Sequence, residues 1–109
     1  MHVEVELESF VSWPCLHEGD AVVGYVGTWF DSPLARYLRQ VTGHLYGVDS
    51  QHYGCALHEY RCWLVLPCWA QHLSYWVESC PRQPVTGDEV LEVLASIERA
   101  LRYKSKLPV

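Results

Sequence analysis

Residues 2–11 alternate apolar and polar side chains, with Val3, Val5 and Leu7 in one phase and Glu4, Glu6 and Glu8 in the other. A period of two predicts a half-buried strand with one wet face. Trp13-Pro14 and Glu18-Gly19-Asp20 bracket a loop, and residues 21–30 form a second β-rich run. Gly24 and Gly27 within that run mark a bulge or a close backbone approach. The two runs are expected to pair as a long-looped hairpin.

From Asp31 the period lengthens. Asp31-Ser32-Pro33 reads as a capped helix start, because a proline in the first turn sacrifices no hydrogen bond. Leu34, Leu38 and Val41 recur at helical spacing, Arg36, Arg39 and Gln40 turn outward, and Gly43 is a natural stop. Residues 44–48 predict a short strand, and residues 52–66 two more with a break near 59–61.

Pro67 opens a second helix, in which Trp69, Leu73, Trp76 and Cys80 align on one apolar face until Cys80-Pro81 ends it. A loop then leads to Thr86-Gly87-Asp88-Glu89. That is a capping box, in which the threonine hydroxyl and the Glu89 carboxylate satisfy each other's free N–H groups. Val90, Leu94, Ile97 and Leu101, reinforced by Leu91 and Val93, make the stripe of a third helix to about Tyr103.

The order β-β-α-β-β-α-α predicts an α+β fold, with an antiparallel or mixed sheet of 4–5 strands and three helices mainly on one face. At 109 residues, one domain spanning 1–109 is expected.

Charge narrows the partners. The first 35 residues hold six acids and no lysine or arginine, while the remainder is nearly balanced, for a net charge of −5. Such a chain repels phosphate backbones, so nucleic-acid binding is disfavoured. No apolar run reaches the ~18–20 residues that span a bilayer. Five cysteines is an odd number, and the first fifteen residues lack a basic start and an apolar core. A cytoplasmic, soluble protein with mostly free, buried thiols is the expectation.

The densest chemistry lies in residues 60–77, which hold three of the five tryptophans, two cysteines and a histidine. Cys55-x2-His58-x3-Cys62 and Cys68-x3-His72 have zinc-type ligands, as does the more distant Cys15-x-His17. In a strand, however, an offset of three puts Cys55 and His58 on opposite faces, so no metal site and no cofactor is expected. Cys68 at a helix start with His72 one turn on resembles an activated thiol on paper. Its neighbours Leu66, Pro67 and Trp69 read instead as the apolar wall around a buried cap. Glu4, Glu6 and Glu8 read as a solvent face, or one that meets Arg99, Arg102, Lys104 and Lys106.

The remaining feature is aromatic. The uncharged run 63–70 must be covered by the rest of the chain, a ligand or another chain. The sequence therefore favours a non-enzymatic module that self-associates as a homodimer. Trp63, Trp69, Tyr75 and Trp76 would form its contact surface, with Arg61 and Arg36 as polar anchors. The rival is a small-molecule-binding protein or enzyme, with the same rings lining a pocket and His58, His72 and Glu59 as its polar groups. A zinc-stabilised adaptor is a weaker third.

Overall fold

The capping box at Thr86 starts the longest helix. A computed structural model describes residues 4–25, 29–79 and 84–106, and in it α4 runs Gly87–Lys106. The Glu89 carboxylate accepts the Thr86 N–H at 3.2 Å and the Thr86 hydroxyl accepts the Glu89 N–H at 3.3 Å. Helix α2, Pro33–Thr42, is bounded as predicted. Its cap is Ser32, whose Oγ accepts the Ala35 N–H at 3.3 Å, and Gly43 closes it with φ 77°, a conformation that costs glycine nothing. Helix α3 is Cys68–Ser79.

Strands β1 (Val22–Tyr25), β2 (Tyr46–Val48), β3 (His52–Cys55) and β4 (Leu64–Val65) fall within the predicted runs. The break expected near 59–61 is a 3-10 turn at Tyr60–Cys62. The fold is α+β, with antiparallel pairing throughout its sheets. One expected sheet is instead two, β1-β5 and β2-β3-β4. Strand β5, Pro84–Thr86, occupies what the sequence marks as loop. It takes the place of the expected hairpin partner of β1. The two-stranded ladder stays short because its register shifts between Val22 and Gly24, and because Pro84 at its far end cannot donate. Gly24 serves both predicted purposes, since a Cβ there would sit 2.6 Å from the Pro33 nitrogen; Gly27 lies outside the described residues.

The opening alternation does not make a strand. Residues Leu7–Val11 form a short helix, α1. Leu7, Phe10 and Val11 also stand at spacings of three and four, so the segment carries both periods, and the core selects the helical one. Phe10 is fully buried, with ring centroids 5.2 Å from Tyr37 and 5.8 Å from Trp69. Glu4, Glu6 and Glu8 remain exposed, as expected of a solvent face. Helix α2 packs on both β1 and β2, bridging the sheets, whereas α3 packs on α4.

Phe10 tests this arrangement. Phe10→Ala should lose about 3–5 kcal/mol in urea unfolding, the cost of emptying an aromatic core site. A loss below about 1 kcal/mol would mean that α1 is not docked.

Candidate functional site

Gly47 and Gly54 are cross-strand partners in the β2–β3 hairpin. Trp63, delivered by the 3-10 turn, lies across both, and a Cβ on either glycine would collide with its indole. Two more rings gather on it. Trp29 meets Trp63 edge-on at 5.8 Å, Tyr60 approaches it at 5.1 Å, and Trp29 stacks on Tyr60 at 5.7 Å. His52 contacts the Tyr60 ring at 5.6 Å. The Trp63 indole N–H is buried without an acceptor among the described residues.

This aromatic arm ends on a carboxylate. Asp49, buried where the chain turns from β2 to β3, accepts the Gln51 N–H at 2.8 Å and the His52 N–H at 2.5 Å on Oδ1. The Tyr60 hydroxyl donates to its Oδ2, and His52 Nδ1 lies 3.7 Å from Oδ1. Burial pushes the Asp49 carboxyl upward, but the bonds from Tyr60, Gln51 and His52 outweigh it and hold the group below its ordinary value. The same bond to Asp49, with some burial, raises the Tyr60 phenol.

Asp49 also faces a cavity of about 190 Å³. Pro33, Leu34, Val48, Leu73 and Val77 make its apolar lining, and Trp29, Ser32, Asp49, Ser74 and Glu78 its polar one. Three elements meet here: the start of α2, the end of β2 and the middle of α3. The buried polar side chains among the described residues are Ser32, Asp49 and Ser74, and all three border this one space. Ser74 is 7% exposed, and its hydroxyl lines the cavity from α3. An ionised carboxylate offers about four acceptor positions, of which Asp49 uses three. Glu78 stands exposed at the rim, its carboxyl raised by burial and by the charge of Asp49. Two acids with opposite shifts, two hydroxyls and an indole are a donor-seeking, cation-attracting set.

The residues singled out from the sequence do not converge. Trp69 is in the core, stacked on Phe10. Trp63 is half-buried on the glycines, and Tyr75 is 69% exposed. Trp76 is half-buried and shares a groove with exposed His72 and with α4. Arg61 pairs with Glu59 at 2.5 Å on the surface, and His58 is exposed. Arg36 pairs with Asp31 at 2.7 Å and lies over the Tyr25 ring.

The buried face of α3 is Trp69, Ala70, Leu73, Ser74 and Val77, rotated from the predicted stripe so that Trp76 falls at its edge; Cys80 lies outside the described residues. The same rotation corrects the reading of Cys68. One position before Trp69 it turns outward, and it is exposed rather than a buried cap. Cys62 is exposed too, and Cys15 and Cys55 are half-buried, so these thiols are less buried than expected. Among the described residues, no three His, Cys, Asp or Glu side chains gather as a metal site would require.

Comparison with known proteins finds no family model that matches the chain, and no curated protein or solved structure similar to it. Geometry carries the functional reading.

The two carboxyls predict opposite pH effects. Asp49, lowered from 3.8, supplies stability at neutral pH that is lost as pH falls through its folded value. Glu78, raised from 4.5, favours the fold when protonated, a contribution present below its unfolded value and lost as pH rises through its folded value. Urea unfolding between about pH 2 and 7 should therefore show that Asp49→Asn flattens the acid limb, whereas Glu78→Gln gains stability at neutral pH. The same pH profile for both variants and the parent would contradict this reading.

Proposed function

We propose that this protein binds a small organic cation, an ammonium or amine, in the cavity between α2, β2 and α3. One observation carries the reading: the buried polar side chains among the described residues, Ser32, Asp49 and Ser74, all line a single space. The Ser74 hydroxyl lines this space, where a ligand donor or acceptor would take the place of water. Trp29 would offer its ring face to the cation. The remaining acceptor position of Asp49 would take one N–H, and Glu78 would supply charge at the mouth. The cavity is smaller than the ~300–1,000 Å³ of drug-sized sites, which favours a ligand of few heavy atoms. Two carboxylates would turn anions away.

This keeps the small-molecule reading but changes its residues, since His58, His72 and Glu59 give way to Ser32, Asp49, Ser74 and Glu78. Binding alone is proposed; no reaction is assigned. The free thiols of Cys15, Cys55, Cys62 and Cys68 favour a reducing, cytoplasmic setting. Among the described residues, no helix is long and apolar enough to cross a membrane.

A thermal-shift screen of small alkylammonium compounds, followed by calorimetry, tests the proposal. Millimolar amine should raise the melting temperature at pH 7, and carboxylic acids of equal size should not. Ser74→Ala and Glu78→Gln should each weaken binding by about five- to tenfold while still folding. Amines that shift both variants as much as the parent, or shift none of the three, would overturn the reading.

A further inference from the structure

The apolar stripe of α4 is longer than the body that covers it. Val90 and Leu94 are buried, but Ile97 and Leu101, in the same stripe, are half-buried. These two side chains border two depressions at once. One, of about 550 Å³, lies towards His72 and Trp76 of α3; the other, of about 220 Å³, lies towards Leu7 and Trp69. An apolar ridge between two grooves can seat itself in the matching groove of another helix.

Charge says which helix. The first half of α4, 87–96, carries Asp88, Glu89 and Glu92 and no base. The second half, 97–106, carries Arg99, Arg102, Lys104 and Lys106 against Glu98. The helix is therefore complementary to itself when reversed. A parallel copy would set like charge against like at both ends.

We infer that two copies of this chain associate through α4, antiparallel across a two-fold axis that crosses near Ser96 and Ile97. Reflecting position 92 through that crossing lands at Leu101, two residues from Arg99, whereas Arg102 lies towards the smaller depression and pairs with Glu98 at 2.7 Å. Each copy thus sets Glu92 against the basic end of the other, twice per dimer. Ile97 and Leu101 of each copy enter the groove that Trp76 and Val93 wall on the other. The interface is isologous and closes at two, so it ends in a dimer rather than a filament. This proposal is independent of the ligand cavity, whose residues take no part in it.

Sedimentation velocity on the full chain tests it. The parent chain should associate with a dissociation constant in roughly the micromolar range, and more weakly as salt rises from about 50 mM to 500 mM. Ile97→Glu should give a monomer with unchanged circular dichroism. Glu92→Lys alone, and Arg99→Glu alone, should each weaken self-association roughly tenfold. A mixture of the two should regain it. A parent monomeric at about 100 micromolar, an Ile97→Glu variant that still dimerises, or association that strengthens with salt would each overturn the proposal.

Discussion

Everything around the candidate site depends on Trp63 lying across Gly47 and Gly54. An indole can reach a sheet this closely only where both facing positions lack a side chain, and the pairing of the two glycines opposite one another supplies that flat patch. The ring does for the hairpin what paired side chains would otherwise do, shielding a ladder that glycine leaves bare. It also fixes the 3-10 turn before it, and with that turn the position of Tyr60. Tyr60 in turn meets Trp29, His52 and Asp49. A single steric fit is passed along a chain of rings to one buried acid.

That acid is well supported. Two backbone N–H groups and a phenol hold Asp49, so its charge survives a setting that would otherwise suppress it. Among the described residues Glu78 has no such donors, and burial and the charge of Asp49 raise it. The contrast comes from hydrogen bonding rather than from depth, because burial pushes both carboxyls in the same direction. A negative, partly apolar space beside an indole is the consequence, and on that chemistry rests our proposal of a small cation as its ligand.

The helices were legible because their limits are local. Ser32-Pro33, Gly43 and the Thr86–Glu89 box act within four residues, and each forms as its spacing implies. Residues 7–11 were not, because their side chains satisfy two periods and only the pocket that Tyr37 and Trp69 make for Phe10 decides between them. Strand β5 was hidden by its brevity and by Pro84. The candidate site was the least legible. Ser32 reads as a cap, Ser74 as a polar position on a helix and Asp49 as the end of a strand, and only tertiary packing joins them. The rings of the aromatic tract separate into the core, the hairpin patch and the α4 groove.

Titration of the Tyr60 ring by NMR, in the parent and in Gly54→Ala, tests the central dependence most directly. The account predicts a phenol raised above its ordinary value of 10.0 in the parent. In the variant the methyl group should displace Trp63, release Tyr60 from Asp49, lower its titration towards the ordinary value and cost about 1–3 kcal/mol of stability. A variant in which neither the Tyr60 titration nor the stability changes would contradict it.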